Sequence, residues 1–261
     1  MPKGFLAVSS LPSPSLPLSE YHAWYEEEHI PIRLNHLRSF LSGARYQAID
    51  LEQLNADSQE SLKPSWLAMY EIDSTQTFGD ASYTSLREKR SEREKNVMSR
   101  LDVLVRRTGE LVGVWGDPEG ERSTGLKVER PSGWLVTHGV DVNVKEQPDK
   151  KTDELVSRWA ARVGENLQKE NSAWVRIWVV KILEGGKTRM GKAIGLDEDE
   201  RAEYFIVHEF LDEEAARSDT FQATLHSEVL AEEKGTVHVG DGRVWKLHKA
   251  YPCLAQGNVQ V

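Results

Sequence analysis

The stretch Trp66-Leu67-Ala68-Met69-Tyr70-Glu71-Ile72-Asp73 returns later in the chain as Tyr204-Phe205-Ile206-Val207-His208-Glu209-Phe210-Leu211-Asp212. Three further echoes follow in the same order. Gly4-Phe5-Leu6-Ala7-Val8-Ser9 returns as Gly133-Trp134-Leu135-Val136-Thr137-His138, Ala44-Arg45-Tyr46 returns as Val175-Arg176-Ile177, and Tyr83 returns as Phe221. Echoes at consistent offsets read as two divergent copies of one unit of roughly 110 to 120 residues. What differs between the copies is then the guide to function.

The element pattern fits this reading. In the first copy, strands are expected near 3–10, 40–51, 64–73 and 103–115, from their apolar, β-branched alternation. A helix capped by Ser19 should run to about Ile30, where Pro31 disfavours helical geometry in the residue before it. A long amphipathic helix should cover about 76–101. Gly116 to Ser132, rich in Gly, Pro and charge, reads as a linker. Strands then recur near 133–143, 174–183, 202–211 and 243–250, with helices near 150–170 and 213–233; the glycine-rich insert Gly185 to Glu200 reads as a flap near a site. Strand, helix, strand, strand, helix, strand is the split βαβ order of a ferredoxin-like unit. Such a unit leaves one sheet face bare, and two copies can pack those faces into a barrel-like core. The expected class is α+β, with a first repeat over 1–116, a linker over 117–132 and a second repeat over 133–261.

Composition narrows the partners. The 261 residues are 39% hydrophobic with eight tryptophans, enough for a packed interior. A net charge of −9 disfavours nucleic-acid phosphates and anionic membranes, so a small hydrophobic molecule is the expected partner. One cysteine, Cys253, excludes an internal disulfide and a cysteine metal cluster. The amino-terminal apolar run is too short for a signal peptide and no later run approaches 18 apolar residues, so a cytoplasmic protein is expected.

The densest polar and aromatic segment is Ser19-Glu20-Tyr21-His22-Ala23-Trp24-Tyr25-Glu26-Glu27-Glu28-His29-Ile30-Pro31-Ile32-Arg33. On a regular helix, His22, Tyr25 or Glu26, and His29 share a face, which would gather two imidazoles with a phenol or carboxylate. Histidine titrates near neutrality and a carboxylate can hold its tautomer, as proton transfer requires. A solvated acidic face explains the same residues. The second copy offers Arg162 opposite His29 and no proline, an asymmetry expected where one copy keeps chemistry and the other packing.

The run from Trp24 to Arg33 resembles the W-Y-x-x-E-H-I-P-x-R helix end of EthD-like proteins, members of the dimeric α+β barrel superfamily that abound in filamentous fungi. The strand at Trp66 and the helix with Tyr83 are similar to that family too, so the resemblance covers about 3–115 well and 130–252 faintly. It implies a barrel with a ligand cavity where two halves meet, His29 pointing into it, and activity without metal or organic cofactor. Decarboxylation, cyclisation, dehydration and oxygenation of polyketide-like secondary metabolites all remain open, because a fold does not choose among them. Single-domain members dimerise; this chain carries both halves, so a monomeric pseudo-dimer or a homodimer is expected.

Strand alternation adds candidates. Trp66, Ala68, Tyr70 and Ile72 share one face, Tyr204, Ile206, His208 and Phe210 the matching one. If those faces look inward, Tyr70 and His208 approach one cavity, with Trp66, Trp134 and Tyr204 as aromatic walls and Tyr83 and His138 beside them. A structural tyrosine and a core histidine would satisfy the same pattern. In the proposed scheme His29 is the acid or base, with Tyr25, Glu28 or His22 tuning it and Tyr70 or His208 orienting a substrate oxygen. Arg45 and Arg176, at matching positions, could clamp a carboxylate but are read as surface pairs, and His226, His238 and His248 are read as surface residues. No metal is expected: His22 and His29 stand about 10.5 Å apart on a regular helix, and His-Glu-x-x-His is absent. A non-catalytic carrier of the same metabolite is the rival reading, and a cofactor-free oxygenase the third.

Overall fold

A computed structural model of the chain describes residues 1–51, 63–117, 119–144, 148–225, 235–240 and 242–257. The first half runs β1 (Gly4–Pro12), α1 (Leu18–Trp24), a π-helical turn (Tyr25–His29), α2 (Pro31–Leu34), β2 (Phe40–Ala48), β3 (Trp66–Ile72), a 3-10 turn (Thr75–Gly79), α3 (Ala81–Glu88), α4 (Glu92–Met98) and β4 (Leu101–Gly116). The second runs β5 (Trp134–Val144), α5 (Pro148–Glu170), β6 (Trp174–Arg189), β7 (Lys192–Ile194), β8 (Tyr204–Phe210), α6 (Glu213–Ala216), α7 (Asp219–Leu225), β9 (Gly235–Val239) and β10 (Arg243–Tyr251).

The strands lie in the order β10-β2-β3-β1-β4-β6-β8-β5, and β5 pairs back onto β10, which closes an eight-stranded antiparallel barrel. Residues 4–116 supply β2-β3-β1-β4 and residues 134–251 supply β6-β8-β5-β10, so the order of strands along the sheet is the same in both halves. Two seams join them, β4 on β6 and β2 on β10. Closure leaves no edge among the eight strands.

Side chains alternate across the wall. Phe5, Ala7, Tyr46, Leu67 and Met69 of the first half meet Leu135, Trp178, Val180, Phe205, Val207 and Trp245 of the second inside the barrel. The outer face of the first half, with Leu6, Tyr70 and Ile72, packs on Trp24, Tyr25, Tyr83 and Val97 of its helices. The outer face of the second, with Val136, Ile206 and Phe210, packs on Trp159 and Phe221.

This inverts one expectation. Trp66, Ala68, Tyr70 and Ile72 face the helices rather than the lumen, and so do Tyr204, Ile206, His208 and Phe210. Both faces of β3 and β8 are apolar, so alternation alone cannot assign the inner one. Tyr70 and His208 therefore sit on opposite outer flanks of the barrel and share no cavity. Trp66, Trp134 and Tyr204 form no common wall. The first-strand pairing is also one residue out: Leu6 pairs with Tyr70 as Val136 pairs with His208, so Phe5 corresponds to Leu135 and not to Trp134.

Other boundaries shift for local reasons. The long helix expected over 76–101 is broken by two caps inside it, Asp80 accepting from the Ser82 N–H at 2.7 Å and Ser91 from the Glu94 N–H at 3.0 Å. Ser19 caps nothing, because α1 begins a residue earlier after Pro17. The insert 185–200 is no flap: β6 continues to Arg189 and pairs with β4 and β7. The helix expected over 213–233 is two short helices as far as Leu225; 226–234, with His226, lie outside the described residues. The linker plugs one barrel end, with Leu126 in the lumen cluster. Beside it Arg176 donates to the Asp117 and Ser123 carbonyls at 2.8 and 2.6 Å and pairs with buried Glu209 at 3.1 Å.

Candidate functional site

The site begins with the proline. In a regular α-helix the Pro31 ring would strike the Glu27 carbonyl, and Pro31 has no N–H to offer it. The chain answers with a wide turn: the Ile30 N–H donates to the Tyr25 carbonyl at 3.0 Å, five residues back, and Ile30 keeps helical φ −71 and ψ −50. So Pro31 does not end the helical path at Ile30; it follows a π-turn and opens α2. A π-turn advances each residue through a smaller angle, so over five residues His29 falls roughly a quarter turn out of phase with His22. The shared face expected from their spacing is lost.

His29 points into a cleft between the outer face of β1, β3 and β4 and the helices α3 and α4. The cleft, about 60 Å³, is lined by His29, Arg33, Tyr70, Tyr83, Arg87, Arg90, Glu94 and Arg106 with Leu6, Val8, Leu86, Met98 and Leu104. His29 is 9% exposed and its Nδ1 lies 3.4 Å from the Glu94 carboxylate, an electrostatic pair outside hydrogen-bond geometry. Trp24 packs on the ring at 4.4 Å between centroids and Tyr25 edges it at 5.1 Å. Burial, with the Arg33 charge, draws the imidazole down to about 4 despite the opposing pull of Glu94, so at neutral pH the ring is a free base. Burial works to raise Glu94, but His29, Arg33 and Arg90 overcome it and hold the carboxyl below its usual range.

Across the cleft the Tyr70 hydroxyl is buried without a hydrogen-bond partner among the described residues, as is His29 Nδ1. Burial holds this phenol protonated. Two unmet polar atoms in one cleft call for a water or a ligand. Arg106 donates to Tyr83 Oη at 3.2 Å and pairs with Glu184 at 3.1 Å, while Arg33 donates to the His29 carbonyl at 2.7 Å. Four guanidiniums line the cleft, and with Glu94 and the Glu184 partner of Arg106 counted against them the surroundings stay electropositive, suited to a substrate carrying an anionic oxygen. Sequence reasoning missed Glu94 and the arginines. Glu94 lay among the many charges of one periodic segment, and only the Ser91 cap turns it toward His29.

Three of the expected site residues thus meet here, His29, Tyr70 and Tyr83, with Tyr25 at the back of the imidazole. Glu28 does not tune His29; it accepts a hydrogen bond from Ser91 at the surface. His22 sits in another cluster, its Nδ1 3.1 Å from Arg45 and its ring stacked on His248 at 4.8 Å, with Trp66 edging it at 4.6 Å. Burial, then Arg45 and His248, bring His22 to about 4. Arg45 is itself buried, its guanidinium 4.0 Å over Tyr25, and Arg176 is buried at the plugged end, so neither is a surface pair. His238 and His248 are both exposed, as expected, and the His248 ring adds its stack on His22.

In the second half the corresponding space is filled. His208 is wholly buried, its Nε2 3.2 Å from His138 Nε2, its Nδ1 accepting from Trp174 Nε1 at 3.2 Å, with Phe221 at 5.0 Å. The Tyr204 hydroxyl donates to Asp153, and Trp134 packs against the same outer layer. Among the described residues no group of three or more His, Cys, Asp or Glu is placed to hold a metal ion, and no helix is long and apolar enough to cross a membrane.

No family model and no curated protein matches the chain. Solved structures do. An anthrone oxidase-like protein superposes with a TM-score of 0.50 at 10% identity, over 96% of this chain and 92% of its own. A chlorite dismutase-like protein does so with a TM-score of 0.51 at 9% identity, over 99% and 100%. Both belong to the dimeric α+β barrel superfamily, and at such identities the likeness is one of fold.

Proposed function

We propose that the chain is an enzyme in which His29 acts as general base, or in its protonated form as acid, on a small molecule bound through an ionisable oxygen, without metal or organic cofactor. The observation that carries the reading is the cleft in which buried His29 Nδ1 and Tyr70 Oη both lack a hydrogen-bond partner among the described residues, with Glu94 3.4 Å from the imidazole and arginines around the rim. A neutral imidazole takes a proton from carbon or oxygen; Glu94 steadies the imidazolium that results; the Tyr70 hydroxyl and the guanidiniums hold the enolate or carboxylate oxygen. Decarboxylase, cyclase and dehydratase are versions of this one scheme. A cavity of about 60 Å³ admits a few waters or the polar end of a molecule, not a fused polycycle. A secondary metabolite would therefore insert one oxygenated end and leave its apolar body at the rim.

We further read residues 1–116 and 133–261 as two divergent ferredoxin-like repeats joined by 117–132 into one pseudo-dimer of the tandem EthD-like type. The common strand order and the equivalence of Tyr70 with His208 support this. Chemistry then stays in the first repeat and packing in the second.

The test is solvent-deuterium incorporation and carbon dioxide release from small β-keto acids and phenols, followed by NMR. The wild type should exchange the acidic proton, Tyr70→Phe should slow it, and His29→Ala should abolish it while keeping a native melt. Full exchange by the His29→Ala protein rules the scheme out. Stoichiometric capture with no exchange would select a carrier instead, and oxygen consumption with a phenol would select the cofactor-free oxygenase; the name of the anthrone oxidase-like neighbour speaks for oxidation alone.

A further inference from the structure

The barrel is plugged at one end by the linker; at the other a cavity of about 120 Å³ opens among the ends of β1, β3, β5, β8 and β10. Arg107 reaches into it. On β4 this residue stands opposite Ala7 of β1 and Gly185 of β6, and it shares the inward phase of Ala7. Its guanidinium lies 5.6 Å from the Phe205 ring and makes no hydrogen bond or ion pair with any described residue. Three further charged side chains line this mouth: Arg243, which pairs with Asp50 at 3.0 Å, Glu200, which pairs with Lys187 at 3.0 Å, and Lys63, a second cation.

A guanidinium carries five donors and keeps its charge at any working pH, so a partly buried one without an acceptor is costly. Burial works against its charged form, and the Glu200 charge only partly offsets this. Around it the walls are apolar, Leu67, Ile182, Phe205 and Trp245, and the Thr137 hydroxyl already accepts from Trp245 Nε1 at 2.8 Å. A guanidinium without a carboxylate partner, with Lys63 at the same mouth and aromatic rings beside it, is an arrangement that favours a small organic anion over an inorganic one.

We propose that this barrel mouth is a second binding site, separate from the His29 cleft, for a small organic carboxylate of about benzoate size, its carboxylate on Arg107 and its flat body against Phe205 and Trp245. The cavity is of the order that holds one small ring.

The experiment titrates the full chain with sodium benzoate, and with neutral benzamide as its isostere, by calorimetry and by the difference in tryptophan fluorescence between the wild type and Trp245→Phe. Benzoate should saturate the wild type and bind at least about tenfold more tightly than benzamide. Arg107→Met should lose that preference, Arg107→Lys should keep part of it, and His29→Ala should leave it unchanged. Without ligand, Arg107→Met should also melt higher than the wild type, because a partly buried cation that Glu200 offsets only in part has gone. Equal binding of benzoate by Arg107→Met, loss of binding in His29→Ala, or no saturation by about 10 mM overturns the proposal. So does a lowered melt for ligand-free Arg107→Met, which would mean that a carboxylate of the chain itself already holds this guanidinium. If Arg107→Met does not fold, the benzoate-to-benzamide preference of Arg107→Lys against the wild type decides, and an unchanged preference refutes the site.

Discussion

The Nδ1 atom of His29 and the Glu94 carboxylate face each other at 3.4 Å from two helical segments 65 residues apart in sequence, both nearly buried. The separation is short enough to steady an imidazolium and too long, in this geometry, to fix the proton beforehand. In the proposed scheme Glu94 is therefore a positioning residue and His29 the group that meets substrate. His29→Ala should lower kcat/KM by about 10²- to 10⁴-fold, the usual worth of a positioned acid or base. Glu94→Gln should lower kcat by less, leave KM nearly unchanged, and move the acidic limb of the pH profile downward, since Glu94 is what holds the histidine up. An unshifted limb would show that the pair is structural.

Stability should also report on His29. Its pKa falls from 6.5 in the unfolded chain to about 4 in the fold, so the fold favours the neutral ring. That contribution is fully present above pH 6.5 and is lost as pH falls from 6.5 towards 4, where only the unfolded chain takes up the proton. The shift corresponds to an amount on the order of 3 kcal/mol. Urea midpoints measured between pH 7 and pH 4 should drop more steeply for the wild type than for His29→Gln. Parallel curves would mean that the ring is more solvated than its burial implies.

The closed barrel was foreshadowed because the segments around Tyr70 and His208 keep the same alternation, and the two halves lay their strands in the same order along the sheet. What could not be read was which face of β3 or β8 turns inward. Leu67 and Met69 are as apolar as Ala68 and Ile72, and only pairing on both edges settles the question. The site was half legible. His29 stood out by its chemistry, but its partner Glu94 is one acid among many, and the π-turn that parts His29 from His22 changes phase without any signature beyond Pro31. Arg45 and Arg176 misled for another reason. Exposed charge is the rule, and these two are exceptions held by Tyr25 and by Glu209.

The plugged end of the barrel should be a stability hot spot. Glu209 is 2% exposed, accepts from Ser132 and Trp178, and faces Arg176 at 3.1 Å. Glu209→Gln leaves the buried guanidinium without its counter-charge and should cost about 3–5 kcal/mol in urea unfolding. The double variant Glu209→Gln with Arg176→Met should recover much of that loss. If the double variant is as unstable as the sum of the singles, the two residues act independently.

Pro31 offers the sharpest check on how the sequence shapes the site. With Pro31→Ala the N–H returns and the ring is gone, so a regular α-helix becomes available, with residue 31 donating to the Glu27 carbonyl. The wide turn should close up, and His29 should swing by roughly a quarter turn away from Glu94 and Tyr70. The expected result is a protein as stable as the wild type or slightly more so, whose activity falls nearly as far as that of His29→Ala. The imidazole, followed by NMR, should return from about 4 towards 6.5 as it leaves its buried position. An active Pro31→Ala protein with its histidine still titrating near 4 would show that packing by Trp24 and Tyr25, rather than the proline, sets the turn.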